Sequence, residues 1–193
     1  PPWKSQMSRI LVITVTYNAM KWVDRCFGSL RDSRHPVDVF VVDNGSSDGT
    51  AEYIRNHFPE VMLHCTGENY GFGKANNIGL EYALANGYDY AYLLNQDAWV
   101  FPDTFDRLLE AHDAHPEYGI LSPVQMTASM ERPDPRFKVK CLDKELSAYE
   151  SGRIYDVDFV MAAHWLVSRR CILSTGGFSP AFSHYGEDDN YVH

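Results

Sequence analysis

Short apolar runs alternate with segments of helical periodicity along the first two thirds of the chain. The apolar runs predict buried strands at residues 9–15, 37–42, 61–65, 90–95 and 118–123. The segments between them predict helices at residues 22–31, 48–58, 72–86 and 102–115. Because strands that alternate with helices indicate βαβ units, we expect an α/β domain whose mostly parallel sheet is covered by helices on both faces.

The pattern changes after Pro123. Residues 125–150 are polar and lack clear periodicity, so we expect loops and short strands there, followed by a strand at 156–161 and a short helix at 168–174. At about 150 residues per domain, residues 7–193 predict a single domain. Residues 1–6 do not resemble the start of a domain, and we expect them to be foreign to it. Residues 189–193 resemble the start of a helix, so we expect the natural protein to continue.

The net charge of the chain limits the classes of molecule that the protein could bind. The chain has 17 Lys and Arg against 26 Asp and Glu, a formal net charge of −9, and 45% of its residues are apolar. This apolar content supports a folded core and excludes general disorder. The acidic balance argues against nucleic-acid binding and against electrostatic docking on anionic membranes. An anionic ligand would therefore have to be held by local groups.

The four cysteines indicate a reducing compartment. They stand at positions 26, 65, 141 and 171, and no pair has the CxxC spacing of a zinc site. We expect Cys26, Cys65 and Cys171 to be small core residues, because their sequence neighbours are apolar. This pattern favours the cytoplasm over a disulfide-stabilised secreted protein. No run of about 18 apolar residues predicts a membrane span.

Polar turns follow four of the predicted strands. They are Thr16-Tyr17-Asn18, residues 43–49, residues 67–73 and Asn95-Gln96-Asp97. Because ligands of parallel sheets bind beyond the carboxyl ends of the strands, we expect a ligand site where these turns meet. Two of the acids have alternative interpretations. Asp43 could bind a base or ribose, or cap the next helix. Asp97 suits a hard divalent cation, or a hydrogen bond within its own turn.

Two further motifs, a glycine-containing turn and an acidic segment, have alternative interpretations. Gly71 and Gly73 lack the third glycine of a dinucleotide fingerprint, and the turn after the first strand has no glycine, which disfavours a dinucleotide-binding fold. Glu187, Asp188 and Asp189 follow an aromatic segment near the C-terminus. They could supply a general base, or they could interact with the dipole at a helix start.

Five ordered motifs resemble the family 2 glycosyltransferases, and most closely their rhamnosyltransferase-like bacterial members. The motifs are VITVTYN at 12–18, VVDNGSSDGT at 41–50, NYGFGKANNIG at 69–79, LLNQDAWVFP at 93–102 and GGFSPAFSHYGED at 176–188. The resemblance implies a GT-A fold, with a nucleotide-sugar-binding part at 7–124 and an acceptor-side part at 125–193. It implies an inverting transfer from a nucleoside-diphosphate sugar, of UDP or dTDP type, to a hydroxyl.

The same resemblance implies roles for single residues. Thr16, Tyr17 and Asn18 would line the nucleotide pocket, with Asp43 on the base and Asn44 and Ser46 nearby. Gln96 would also belong to the nucleotide-sugar site. Asn69, Gly73 and Asn76 would support the ribose and diphosphate, and Gly177 would shape the sugar pocket. Asp97 would bind Mg²⁺ or Mn²⁺. Asp188 would be the catalytic base and Glu187 its support. Asn95 stands where the family's metal motif usually has its first aspartate.

The implied acceptor is a saccharide or a lipid-linked saccharide in bacterial cell-surface glycan synthesis, used in the cytoplasm or at the inner face of the membrane. Peripheral membrane association and self-association stay open. Two alternatives stay open as well. One is a non-catalytic nucleotide-sugar-binding module of a larger assembly. The other is a sugar nucleotidyltransferase, which is disfavoured because the turn after the first strand lacks the glycines and basic residues that hold a triphosphate.

Overall fold

Six strands form one mixed sheet in the computed structural model, which describes residues 7–142, 144–150 and 152–178. The strands are β1 (Ile10–Thr16), β2 (Asp38–Asp43), β3 (Met62–Cys65), β4 (Tyr90–Leu94), β5 (Ile120–Leu121) and β6 (His164–Ser168). Their order across the sheet is β3-β2-β1-β4-β6-β5. The first four strands are parallel, whereas β6 runs antiparallel to both β4 and β5.

Six α-helices and one 3₁₀ turn complete the described part of the chain. They are α1 (Val23–Arg31), α2 (Thr50–His57), α3 (Phe72–Ala85), α4 (Thr104–Ala114), α5 (Pro135–Cys141) and α6 (Arg169–Thr175), with the 3₁₀ turn at Leu146–Ala148. The four helices predicted before Pro123 are confirmed, as is the short helix after the last strand. The α/β class with helices packed on a mostly parallel sheet is therefore confirmed.

Two sequence-based expectations after residue 117 are wrong in detail. Residues 156–161 contain no strand, and the strand lies at β6 instead. Val160 nevertheless packs in the core, and its carbonyl accepts a hydrogen bond of 3.0 Å from Trp165 Nε1. The apolar residues of this segment thus fill the core without joining the sheet. The predicted strand at 118–123 is reduced to the two residues of β5.

Helix α5 was not predicted, although its start signal is present in the sequence. The Asp134 side chain accepts hydrogen bonds from the backbone N–H of Arg136 at 2.9 Å and of Phe137 at 3.1 Å. Pro135 occupies the first turn, where a missing N–H costs nothing. Only Phe137 and Cys141 are buried, so the helix shows too little periodicity to be recognised from its apolar pattern.

Both faces of the sheet are buried, as the continuous apolar runs predicted. On β1, Leu11 and Ile13 belong to one core cluster, while Ile10 and Val12 belong to the other. Successive side chains of a strand point to opposite faces, so a strand without polar alternation needs cover on both.

The cysteine prediction is partly wrong. Cys26 is buried and Cys171 is half-buried, but Cys65 is exposed at the end of β3. The Cys65 sulfur lies 3.2 Å from Nη2 of Arg55. Strand β3 is the edge strand, and its last two residues are exposed, so apolar neighbours in the sequence do not bury this thiol. Cys26, Cys65 and Cys171 are free thiols.

The absence of a side chain at Gly79 lets α3 lie close to β1. A Cβ atom at this position would stand 2.5 Å from Cγ2 and 2.9 Å from Cδ1 of Ile13, which is fully buried. This close approach fixes the helix axis over β1, and with it the position at which α3 begins.

We expect Gly79→Ala to lower the free energy of unfolding by about 1–3 kcal/mol, because the added methyl overpacks the core against Ile13. Gly28→Ala is the matched control. Gly28 is also helical, and a Cβ there would meet nothing within 4 Å, so we expect no loss, or a gain of about 0.5–1 kcal/mol from helix propensity. Urea unfolding of both variants tests this. Equal stability of the two would show that α3 does not depend on the contact.

Candidate functional site

The turns after β1 and β2 are joined through a buried carboxylate. Thr16 and Asp43 are opposite each other in the parallel register, and Thr16 Oγ1 donates to Asp43 Oδ1 at 2.8 Å. Ser46 donates twice, from Oγ to Oδ1 at 2.6 Å and from its backbone N–H to Oδ2 at 3.0 Å. Asp43 is 3% exposed. A carboxylate accepts about four hydrogen bonds, so one acceptor position is left for a ligand.

The alternative interpretation of Asp43 as a helix cap is wrong. Helix α2 begins at Thr50, and the Thr50 N–H bonds to Asp48 Oδ1 at 3.0 Å. Asp48 also accepts from the Met20 N–H at 3.2 Å. These hydrogen bonds lower the pKa of Asp48, although its desolvation opposes them. Asp43 therefore forms its hydrogen bonds at the edge of the sheet, whereas Asp48 accepts the hydrogen bonds at the start of α2.

The first turn is also tied to the second and fourth turns. Asn18 has a φ of 49°, in the left-handed region that asparagine tolerates. Its Oδ1 accepts from the Ser47 N–H at 2.8 Å. The Tyr17 N–H donates to Gln96 Oε1 at 2.8 Å, and Gln96 Nε2 donates back to the Tyr17 carbonyl at 3.3 Å. The Tyr17 side chain is left 48% exposed.

The third turn is held by a pair of amides. Asn44 Nδ2 donates to Asn69 Oδ1 at 2.9 Å, and Asn44 Oδ1 accepts from the Tyr70 N–H at 2.9 Å. Asn69 Oδ1 also accepts from the Gly71 N–H at 2.9 Å. Asn44 is 3% exposed. Both Nδ2 and Oδ1 of its amide form hydrogen bonds that hold the turn leading into α3.

The start of α3 is free of side-chain caps. Gly73 and Asn76 are both buried in its first turns, and Asn76 Nδ2 donates to the Phe72 carbonyl at 3.1 Å. The first turn contains no acidic residue. The first backbone N–H groups of the helix therefore have no side-chain acceptor among the described residues, which is the arrangement that accommodates an anion.

Asp97 is the acidic residue at this edge of the sheet whose carboxylate is not used in hydrogen bonds to described residues. It is exposed and makes no hydrogen bond to any described residue, so the interpretation that it only closes its own turn is wrong. Burial raises the pKa of the neighbouring Cys26 thiol to about 12, and the negative charge of Asp97 adds to that rise. The turn itself is closed by the Ala98 N–H, which donates to the Asn95 carbonyl at 3.0 Å.

A single carboxylate does not enclose a metal ion. Within residues 7–142, 144–150 and 152–178, no three His, Cys, Asp or Glu side chains could hold one together. This donor set fits a hard cation that takes one carboxylate from the protein and its other oxygens from substrate phosphates and water.

Asn77 is a residue of the site that the sequence interpretation missed. Its Nδ2 donates to the Phe178 carbonyl at 2.8 Å, and its Oδ1 accepts from the Phe178 N–H at 2.6 Å. A Cβ at Gly177 would stand 2.3 Å from Asn77 Oδ1. The contact between Asn77 and Phe178 therefore leaves no room for a side chain at position 177, regardless of the other contacts of Gly177. The motif containing two adjacent asparagines was the available signal, but only Asn76 was taken from it.

The structure brings most of the predicted residues together. Those at the strand ends and at the start of α3 are Thr16, Tyr17, Asn18, Asp43, Asn44, Asn69, Gly73, Asn76, Gln96 and Asp97. Gly177 is placed against α3 through Asn77. Glu187 and Asp188 lie outside the described residues.

Two concave surfaces lie on the described part of the chain. An open depression of about 630 Å³ lies over α4 between Arg34 and Asp113, and its lining includes none of the strand-end residues. A cavity of about 400 Å³ adjoins Asp97 on the side of β6, with Gln125 and His164 in its lining. The second surface is continuous with the candidate site.

No helix in the part of the chain that the structure describes is both long enough and apolar enough to cross a lipid bilayer.

Comparison with protein families gives one match over most of the chain. The sequence model described as Glycosyl transferase family 2 matches residues 11–167.

Curated relatives match more than half of the chain. An N-acetylglucosaminyl-diphospho-decaprenol L-rhamnosyltransferase of Mycobacterium tuberculosis is 34% identical over 122 residues, which are 58% of this chain and 40% of the relative. An undecaprenyl-phosphate mannosyltransferase of Micrococcus luteus is 36% identical over 107 residues, 53% of this chain and 44% of the relative. The matched regions span about two fifths of these relatives.

Solved structures share the fold at low sequence identity. S. aureus TarS 1-349 in complex with UDP has a TM-score of 0.72 at 18% identity, over 95% of this chain and 54% of that one. Mannosyltransferase PcManGT from Pyrobaculum calidifontis, in complex with GDP-Man and Mn²⁺, has a TM-score of 0.70 at 21% identity, over 97% of this chain and 51% of that one. The predicted GT-A fold class is confirmed.

We expect Asn77→Ala to lower the free energy of unfolding by about 1–3 kcal/mol, because it removes both hydrogen bonds between the Asn77 side chain and the Phe178 backbone. Asn86→Ala is the matched control, since Asn86 closes the same helix and its side chain donates to the Tyr82 carbonyl within that helix. We expect its cost to stay within about 0.5 kcal/mol. Thermal unfolding measures both. Equal losses would contradict a specific role for the Asn77 contact.

A double-mutant cycle tests the steric part of the same contact. Gly177→Ala should be destabilising in the wild-type background and nearly neutral in the Asn77→Ala background, because the clashing amide is then gone. Fully additive losses would instead indicate that Gly177 is needed for a different reason.

Proposed function

The chain belongs to glycosyl transferase family 2, and we propose that it transfers a sugar from a nucleoside-diphosphate sugar to a hydroxyl acceptor, with inversion at the anomeric carbon. One observation at the edge of the sheet supports the proposal. Hydrogen bonds hold four turns in place there, while the Asp97 carboxylate bonds to none of the described residues. In this proposal residues 7–124 bind the nucleotide sugar and residues 125–193 form the acceptor side.

We assign the nucleotide to the turns after β1 and β2. The exposed ring of Tyr17 offers a stacking surface for the base. The remaining acceptor position of Asp43 suits a ring N–H, which uracil and thymine both present and guanine presents as well. Thr16 and Asn18 hold these two groups in place. UDP or dTDP is therefore the proposed type of donor, and GDP is the alternative to be tested.

We assign the diphosphate to the start of α3 and to the turn that contains Asp97. The first turn of α3 contains no acidic residue, and its N-cap makes no side-chain hydrogen bond to a described residue, so its N–H groups could bind an anion. Asn44, Asn69 and Asn76 support this region by fixing the turn and the first helical residues. Asp97 would hold Mg²⁺ or Mn²⁺, with Gln96 beside it. When bound, the cation neutralises negative charge on the departing diphosphate.

The chemical step is a single displacement. The acceptor oxygen forms a bond to the anomeric carbon while the bond from that carbon to the diphosphate oxygen breaks. Asp188 takes the proton of the attacking hydroxyl, and Glu187 supports it. The Asn77 contact with Phe178 anchors the chain that leads toward this acid pair.

The acceptor is proposed to be a saccharide or a lipid-linked saccharide of a bacterial surface glycan. The names of both curated relatives include a polyprenyl carrier. We therefore propose action in the cytoplasm, at the inner face of the membrane. The free thiols of Cys26, Cys65 and Cys171 are compatible with that compartment.

A thermal-shift screen of UDP, dTDP and GDP with and without Mn²⁺ or Mg²⁺ tests the donor site. A nucleotide at 100 times its Kd should stabilise the protein by about 2.7 kcal/mol. Asp97→Ala should remove the part of the shift that depends on the cation, and Asp113→Ala, an exposed acid of α4, should leave it unchanged. An identical metal-dependent shift in Asp97→Ala would exclude its metal role.

Asp188→Asn should lower transfer by about 10²–10⁴-fold and leave the nucleotide-dependent thermal shift intact, because a positioned base acts in the chemical step. Asp189→Asn is the adjacent control and should retain most of the activity. Release of nucleoside diphosphate from the selected donor measures both in the full-length protein. Wild-type turnover in Asp188→Asn would overturn the assignment. Donor binding without any transfer by the wild type would favour a non-catalytic binding module.

A further inference from the structure

The cavity beside Asp97 lies on the opposite side of β4 from the proposed nucleotide site. In the sheet, β4 stands between β1 and β6. The turns assigned to the nucleotide follow β1, β2 and β3, whereas the cavity is lined by the turn after β4, the segment before α5 and the start of β6. A group bound in this cavity would therefore meet the Asp97 turn from the side away from the nucleotide.

His164 presents a fixed and neutral imidazole to this cavity. It is the first residue of β6 and pairs with Leu94, so it starts at the edge where β4 ends. Its Nδ1 lies 2.8 Å from the hydroxyl of Tyr92, which is fully buried. Burial lowers the pKa of His164 to about 4, so the ring is uncharged near neutral pH.

The hydrogen bond to Tyr92 determines which ring nitrogen carries the proton. The Tyr92 hydroxyl has no other acceptor among the described residues, and burial raises its pKa, so it keeps its proton. We therefore assign Tyr92 as the donor and Nδ1 as the acceptor, which leaves the proton on Nε2 of His164. Nε2 bonds to none of the described residues, and it is not one of their enclosed unpaired atoms, so it remains accessible.

Gln125 supplies the complementary group. It is 8% exposed, and its Nε2 donates to the Met161 carbonyl at 2.9 Å and approaches Ser122 Oγ at 3.4 Å. These bonds fix which end of the amide is anchored. Its Oε1 has no partner among the described residues and is not enclosed. The cavity therefore contains an accessible donor on His164 and an accessible acceptor on Gln125.

Apolar and aromatic side chains form much of the remaining lining, which also includes the charged side chains of Asp134 and Arg136. Trp99 and Met126 line the cavity together with Met161. The Arg25 guanidinium lies 3.8 Å from the centre of the Trp99 ring, which restrains that side chain. A few polar groups set in an apolar and aromatic lining are typical of a small-molecule site. A sugar ring matches this combination because it has C–H faces and hydroxyls that both donate and accept.

We propose that this cavity binds the acceptor as an uncharged sugar ring, and that His164 and Gln125 select it by hydrogen bonds to its hydroxyls. The proposal rests on the function proposed above and adds to it the cavity that holds the acceptor ring and two specificity-determining residues. His164 Nε2–H donates to a sugar oxygen, and Gln125 Oε1 accepts from a sugar hydroxyl. Asp97 borders both this cavity and the nucleotide side, so the acceptor hydroxyl would lie next to the donor sugar.

The first test measures sugar binding directly. The probe is a panel of methyl hexopyranosides, methyl N-acetylhexosaminides and their monodeoxy derivatives, titrated into the nucleotide-bound full-length protein by ligand-observed NMR. His164→Asn keeps an acceptor for Tyr92 but withdraws the donor from the cavity. We expect it to weaken binding of the preferred glycoside about tenfold, the value of one hydrogen bond of about 1.4 kcal/mol. His164→Gln, which can replace the Nε2 donor, should recover much of this loss.

Deoxy sugars distinguish recognition from packing. The derivative that lacks the contacted hydroxyl should bind wild type about tenfold more weakly, and His164→Asn should cause no further loss for it. Gln125→Met should show the same behaviour for the hydroxyl that it contacts. His115→Asn, at a partly exposed position before β5 and outside the lining of the cavity, is the control. Melting temperatures of all variants separate poor folding from poor binding.

The results separate this proposal from the one on which it rests. Loss of glycoside binding with an unchanged nucleotide-dependent thermal shift supports the acceptor cavity. A weakened nucleotide-sugar shift with unchanged glycoside binding would overturn it and assign the cavity to the donor. Glycoside binding that is absent in the wild type, or equal in wild type and His164→Asn, would also overturn it. Failure of every nucleotide in the screen would instead contradict the proposed function.

Discussion

The parallel register of β2, β1 and β4 is the constraint on which the site depends. It sets Thr16 opposite Asp43 and ends β4 at the same edge, so residues far apart in the chain meet within hydrogen-bond distance. The buried carboxylate of Asp43 then accepts one hydrogen bond from Thr16, which joins the first two turns, and two from Ser46 within its own turn. Because a buried charge is costly unless it is paired or hydrogen-bonded, this arrangement also makes the edge rigid.

The residues at this edge divide by what their polar atoms already do. Asn44 and Asn76 are buried. The Asn44 amide forms hydrogen bonds in the turn before α3, and the Asn76 amide donates to the first residue of that helix. Tyr17 and Asp97 are exposed, and the Asp97 carboxylate bonds to no described residue. The first group shapes the surface and the second is available to a ligand. A motif that looks uniform in the sequence therefore contains both scaffold residues and candidate contacts.

The antiparallel strand β6 extends the site beyond what a purely parallel sheet would provide. A parallel strand contributes its carboxyl end to the ligand edge, whereas β6 contributes its amino end, so His164 arrives beside Leu94. The segment that precedes α5 then closes the cavity with Gln125. The donor side and the proposed acceptor side are thus built by strands of opposite direction that meet at the Asp97 turn.

The sequence by itself determined the alternation of strands and helices, the burial of both faces of the sheet and the four polar turns, because apolar periodicity and turn-forming residues are local signals. Only the tertiary structure decided which polar atoms remain open. It showed that Asp43 does not cap α2, that Asn77 holds Phe178, and that His164 and Gln125 line one cavity. These facts depend on contacts across the fold, between residues as much as 101 positions apart. A local pattern carries no information about such partners, so the chemistry left available to a ligand could be read only after the chain was folded.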